Sequence, residues 1–242
     1  MRRLVLVAAA TAALTVIPAA AQAWSWGGTW GGTRGDGKKV TEARQVGAFT
    51  AVRVEGSIDV AVKVGGAQSV AVTIDQNLQP LVTTEVSGTT LVIKAKDASW
   101  QGKAIVEITV PALRALAIEG SSDVTVDGGQ GDLALAIHGS GDLRWNGAAS
   151  KLEASISGSG DMKLSGTADH ARLSVAGSGD VAAGGLTAKG AAVSVAGSGD
   201  VELTLDGGPL SVSVAGSGNV VWHGTASVEQ AVVSGSGEIV RR

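Results

Sequence analysis

The sequence contains no cysteine and no tyrosine, one phenylalanine and four prolines, and only 17% of its residues are charged. Without thiols there is no disulfide, no thiol nucleophile and no lipid anchor on cysteine, so an exported fold must be held by packing alone. Aromatic residues make up 3% of the chain, which argues for a thin interior lined by Val, Ala and Leu. A formal net charge of -3 offers no basic surface to nucleic acid, and removing Arg2 and Arg3 with a leader makes the chain more acidic still. Phosphate-loop and zinc-ligand spacings are both missing.

What the chain does have is one short phrase used again and again. GSSDV starts at Gly120, GSGDL at Gly139, GSGDM at Gly158, GSGDV at Gly177 and Gly197, GSGNV at Gly216 and GSGEI at Gly235. Successive starts are 19, 19, 19, 20, 19 and 19 residues apart, a regularity that a Gly/Ser linker has no reason to keep. An earlier copy, GSIDV, stands apart at Gly56. Between phrases, apolar and polar residues alternate, as in Met162 and Leu164 against Asp161, Lys163 and Ser165, or Leu173 and Val175 against Arg172 and Ser174. That is the period of a strand, and no helical stripe runs through any repeat.

A unit of two brief strands and a Gly-rich bend has no means of burying its own apolar face, so it must stack on copies of itself. The pattern predicts an all-β fold: a single-stranded parallel β-helix, or solenoid, with coils of about 19 residues stacked roughly 4.8 Å apart. A leucine-rich repeat would show L-x-x-L-x-L-x-x-N and a helical return, and neither is present. A propeller built from pairs of repeats is the minor alternative, though it lacks a Trp-Asp or kelch signature.

Residues 1–23 read as a secretory signal peptide, with Arg2 and Arg3, an apolar run from Leu4 to Ile17, Pro18, and the small-residue site Ala21-Gln22-Ala23. The apolar run is shorter than the roughly 20 residues of a membrane span. The expected location is therefore exported (periplasmic, cell surface or secreted), with no membrane span after cleavage. Residues 24–39, rich in Gly and carrying Trp24, Trp26 and Trp30, read as a flexible arm. The Arg34-Gly35-Asp36 triplet within it resembles an integrin-binding signal, but a three-residue match carries no weight. Residues 40–119 read as a mixed β region that caps the solenoid and includes a first coil, with hairpin bends at Gly65-Gly66 and Ser87-Gly88. Residues 120–242 hold the solenoid repeats, ending on the short, charged Val240-Arg241-Arg242 as a weak cap.

Three stretches together resemble the "putative auto-transporter adhesin, head GIN domain" family of exported bacterial proteins. They are the opening segment from Phe49 to Val60, the approach from Val110 to Leu116 before Gly120, and the serial GSGDV and GSGNV phrases. The resemblance spans roughly Val46 to Ile239 and implies an exported β-helical domain with an adhesive role. Nothing after Gly235 forms a translocator barrel, so this chain alone is not expected to act as an autotransporter.

Stacked coils would bring Asp123, Asp142, Asp161, Asp180, Asp200, Asn219 and Glu238 into one row. Like charges about 4.8 Å apart in water repel by roughly 0.9 kcal/mol per pair, so something must offset them. The preferred account is hydration plus hydrogen bonds from side chain to backbone within each bend, a role that Asn219 fills equally well. The sharper alternative is a divalent cation on the row Asp123, Asp142, Asp161, Asp180 and Asp200. Because the calcium-binding nonapeptide repeats every nine residues, calcium is not expected as a folding requirement.

His138, His170 and His223 fall at different offsets in their repeats and are expected as solvated surface residues. No catalytic residue, metal or cofactor is assigned. The expected function is a non-catalytic, adhesin-like binding module that presents β-faces to an envelope glycan, a protein or copies of itself. The alternatives are a carbohydrate-active enzyme on the same scaffold and a purely structural envelope protein. Enzymes on β-helices wall their clefts with long loops, for which coils of constant length leave little room.

Overall fold

The computed structural model describes residues 32–95, 98–100 and 102–242; the expected signal peptide and residues 24–31 lie outside them. Strands β1 (Thr33–Arg34), β2 (Lys39–Ala43), β3 (Ala51–Gly56) and β4 (Asp59–Val64) come first. Then come β5 (Ser69–Asp75), a short 3-10 helix (Gln76–Leu81), β6 (Val82–Ser87), β7 (Thr90–Ala95), β8 (Ala98–Ser99) and β9 (Ile105–Val110). Short strands β10 (Ala115–Gly120), β11 (Val124–Asp127) and β12 (Leu133–Gly139) lead into the long ones. These are β13 (Leu143–Gly158), β14 (Met162–Gly177), β15 (Val181–Gly197), β16 (Val201–Gly216) and β17 (Val220–Gly235), with β18 (Ile239–Arg241) last.

From β10 onward each coil lies parallel to the next, and the phrases stack in register: Gly120 pairs with Gly139, Gly139 with Gly158, and Gly158 with Gly177. The alternation seen in the sequence becomes rows of buried side chains. One runs Ile118, Ile137, Ile156, Val175, Val195 and Val214, and another Val124, Leu143, Met162, Val181, Val201 and Val220. Among the buried residues is Trp145, which pairs with Leu164 on the next coil and whose Nε1 donates to the Gly128 carbonyl at 3.1 Å. The single 20-residue interval is a bulge. Lys163 pairs with Ala182 and Ser165 with Gly185, which leaves one extra residue on β15.

The bends set how closely coils approach. In each phrase the first glycine has a positive φ, 139° at Gly158 and 138° at Gly177, a region that side chains rarely enter. The second glycine is required for another reason: a Cβ on Gly160 or Gly179 would run into the carbonyl oxygen of the glycine one coil below.

In the region before Gly120 two expectations need correction. The expected first coil is present, because β3 and β4 lie in register with β10 and β11, pairing Gly56 with Gly120 and Val60 with Val124. The intervening chain folds back instead, laying β7 against β3 and β9 against β4, both parallel, on the far side of that coil. Gly65-Gly66 is not the expected hairpin bend: β4 and β5 do not pair with each other, and β9 lies between them, antiparallel to β5. The Ser87-Gly88 bend does join an antiparallel hairpin, β6 with β7.

The second correction concerns the arm. From Thr33 onward it is tied to the domain rather than free: β1 pairs with β8, and β2 lies antiparallel on β5. The Asn77 amide donates to the Arg34 carbonyl at 2.8 Å and accepts from the Asp36 N–H at 3.0 Å, which fixes the Arg34-Gly35-Asp36 turn. Lys39 places Nζ 3.2 Å from the fully buried Asp75 carboxylate, and Gly35 packs against that same group. Tying down the arm therefore closes a buried charge that would otherwise be unpaired.

Deleting residues 158–176 joins Ser157 to Gly177 and restores every row, so the shortened protein should fold with a lower melting temperature. Deleting about half that length should abolish folding, because it turns inward residues outward. Circular dichroism melts of the two deletions check this, and equal unfolding of both would contradict the stacked coils.

Candidate functional site

The row of acidic residues forms as expected, but its hydrogen bonds run between coils rather than within bends. The Asp142 N–H donates to Asp123 Oδ1 at 3.3 Å, Asp161 to Asp142 at 3.1 Å, and Asp180 to Asp161 at 2.9 Å. Asp200 continues to Asp180 at 2.8 Å and Asn219 to Asp200 at 2.7 Å, and the Glu238 N–H closes on Asn219 Oδ1 at 3.1 Å. Each side chain thus accepts the amide of its successor, and the ladder is a second set of rungs beside the backbone ones. This geometry needs one acceptor oxygen per coil and no charge, which is why Asn219 fits, its own Nδ2 donating back to Asp200 Oδ1 at 3.0 Å. Among the described residues no group of three or more His, Asp or Glu side chains has metal-holding geometry. Beneath the ladder, partial burial and then the Asp123 carboxylate push the Asp59 carboxyl above its usual range, against the Asp123 amide and Lys103, which lower it.

The other half of each coil presents a flat outward face. Ser155, Ser174, Ser194 and Ser213 stand in one row, and Ala176, Ala196 and Ala215 in the next. Beside them the face dips into an open trough of about 390 Å³. Its floor is Gly190, Ala191 and Ala192, where β15 carries almost no side chain. One wall is Lys151, Glu153, His170 and Arg172 on β13 and β14, and the other is Pro209 and Glu229 on β16 and β17. Parallel register explains this, since Lys151 pairs with His170, His170 with Gly190, and Arg172 with Ala192.

The trough is a step in side-chain length along one face, and its charges stand in register rows where they can hold polar groups of a ligand. At its rim, Lys189 and Asp169 meet at 2.8 Å, and their mutual hydrogen bond raises the lysine and lowers the aspartate from their ordinary ranges. Sequence reasoning missed the trough, although the Gly-Ala-Ala run at 190–192, one coil above Arg172, was its signal.

The three histidines are not brought together. His138 is exposed and lies in register with Glu119 and Ser157; His170 joins the trough wall; His223 is half-buried, with Nε2 2.8 Å from Glu202 Oε1. The His223 contact also departs from the expectation of a merely solvated side chain. It bridges two adjacent coils, an interaction that the offsets in sequence do not reveal.

A family model described as "Putative auto-transporter adhesin, head GIN domain" matches residues 48–226 and 191–241. A crystal structure of a "putative adhesin" from Bacteroides fragilis is similar with a TM-score of 0.81 at 24% identity, over 87% of this chain and all of that one. A "putative adhesin" from Parabacteroides distasonis gives a TM-score of 0.66 at 27% identity, over 87% of this chain and 99% of that one. From the same organism, a structure named "Putative lipid binding protein" gives 0.70 at 23% identity, over 86% of this chain and 98% of that one. No curated protein matches the chain.

If the acidic ladder works through its acceptors alone, Asp180→Asn should leave the melting temperature unchanged or raise it slightly, while Asp180→Ala should cost about 1 kcal/mol. Millimolar calcium should then shift the melt no more than magnesium or added sodium chloride, which relieve repulsion by screening. A calcium-specific rise that disappears in the Asp161→Asn, Asp180→Asn double variant would instead establish a cation site.

Proposed function

The chain belongs to the head GIN domain family of putative auto-transporter adhesins, and from that premise we propose that it is an exported, non-catalytic binding module whose trough and serine face hold an envelope glycan. The observation that carries this reading is the trough itself. It is open along its length, floored by Gly190 and Ala192, and walled by Lys151, Glu153, His170 and Arg172 on one side and by Pro209 and Glu229 on the other. An extended polymer can lie on such a floor while cationic and acidic side chains meet its polar groups from either side. The neighbouring serine row continues the contact at the coil repeat, a spacing suited to a chain rather than to a compact ligand.

Against the enzymatic alternative, the trough is built from side chains of the stacked coils themselves, and no wide loop walls it among the described residues. The signal-like residues 1–23 support export, and among the described residues no helix is long and apolar enough to cross a membrane. The name of the lipid-binding neighbour belongs to a protein 23% identical, and it selects no ligand for this trough.

The test is binding of the purified mature protein to polysaccharide from the producing cell's envelope. Lys151→Ala and Arg172→Ala together should weaken binding about tenfold or more, since each removes charge-assisted contacts worth roughly 1.5–3 kcal/mol. Both side chains are exposed, so the melting temperature should stay put. Removing residues 24–31 should not matter; truncation to Lys39 is unsuitable because it would uncover Asp75. Retained binding in the double variant, with loss on removal of 24–31, would overturn the proposal in favour of the Trp arm. Shortened polysaccharide would identify an enzyme.

A further inference from the structure

The two ends of the solenoid are finished differently. At the first end the outermost strands are β2 and β6, whose sequences KVTEA and VTTEVS carry charge and threonine on antiparallel edges. Such edges resist further strand addition. At the last end β18 pairs only with Val220–Trp222, where Arg241 stacks 5.0 Å over the Trp222 ring. Among the described residues the rest of β17 pairs with β16 alone.

The buried rows therefore run out into solvent on this half. Val228 stacks on Leu210, Ala231 on Val212 and Val233 on Val214, and nothing described lies beyond them. Val228, Val232 and Val233, between 40% and 49% exposed, are the exposed large hydrophobic residues of the described chain. From Gly224 to Gly237 the one ionisable side chain is Glu229.

We propose that this edge pairs with the same edge of a second copy, antiparallel and tail to tail, about a two-fold axis through Val232. The residues there are self-complementary. With Val232 opposite itself, Ala231 faces Val233 on the inner side and Gln230 faces Ser234 on the outer side, because residues 230–234 alternate strictly in register with β16. Glu229 then meets Gly235, so no like charges oppose. The inner rows of the two copies close on each other, and the unpaired N–H and C=O groups find partners. Since the first end is closed to strand addition, pairing stops at two copies instead of running into a filament. The dimer joins two outer faces into one sheet, with Glu229 of each trough close to the axis; the pairing itself does not depend on what the trough binds.

Sedimentation velocity of the mature protein over a concentration series should show a monomer–dimer equilibrium. Val232→Lys, which sets two cations face to face at an exposed outward position, should raise the dimer dissociation constant at least about tenfold without lowering the melting temperature. Val232→Cys introduces the only thiol, and mild oxidation should link two chains, because directly paired strand residues lie within disulfide reach. Ser213→Cys, one coil inward in the same outward row, should not cross-link. Monomer at all concentrations would overturn the proposal. So would open-ended assembly, a dimer that survives Val232→Lys, or equal cross-linking at position 213.

Discussion

Contact between backbones at the bends governs the rest of this structure. Where the chain turns at Gly-Ser-Gly-Asp, each coil meets the carbonyl groups of the coil below with no side chain between them. The amide of Ser178 donates to the Gly158 carbonyl at 3.0 Å, and Ser198 repeats the bond to Gly177 at 2.9 Å. Because that approach leaves no space for a Cβ at Gly160, Gly179, Gly199 or Gly218, the spacing of the stack is fixed at its corner and every other row inherits it. The first two copies differ at this offset. Ile58 and Ser122 stand there in place of glycine and are fully buried, with the Ser122 hydroxyl donating to the Gly56 carbonyl at 3.2 Å.

Once the spacing is set, outward positions become columns, and each column acts as a unit. An aspartate in a column reaches the amide of the next coil, which turns a row of like charges into a hydrogen-bonded ladder. Serine and alanine columns make a flat face, and a local shortage of side chain at Gly190 to Ala192 cuts a trough across it. The ends of the stack are the places where columns have no next member. The chain closes the first end with charged antiparallel strands and a docked arm, but half of the last end is left as an apolar edge.

Much of this was legible in the sequence, because a parallel stack converts sequence period directly into spatial rows. The 19-residue interval located the bends, and the alternation at Met162, Leu164, Leu173 and Val175 identified the interior. What stayed hidden depends on contacts between segments that share no period. Gly56 pairs with Gly120 across 64 positions because β5 to β9 fold back over the first coil, and no local pattern announces that path. The docking of Lys39 on Asp75 is equally non-local. The aspartate row was visible, but the direction of its hydrogen bonds follows from the stagger of adjacent bends, which spacing alone does not supply.

The central claim is that neighbouring backbones, rather than backbone dihedral preference, demand the second glycine of each phrase. The melting temperature of Gly160→Ala, measured beside Gly47→Ala, tests it most directly. Neither glycine has a positive φ, but a Cβ at Gly47 meets nothing within 4 Å whereas one at Gly160 strikes the Gly141 carbonyl. Gly47→Ala should melt with the parent, and Gly160→Ala should lose several degrees, in keeping with overpacking costs of about 1–3 kcal/mol. If the two variants melt within about one degree of each other, where 1 kcal/mol corresponds to roughly 2–4 °C for a chain of this size, the coils are not in backbone contact and the account is wrong.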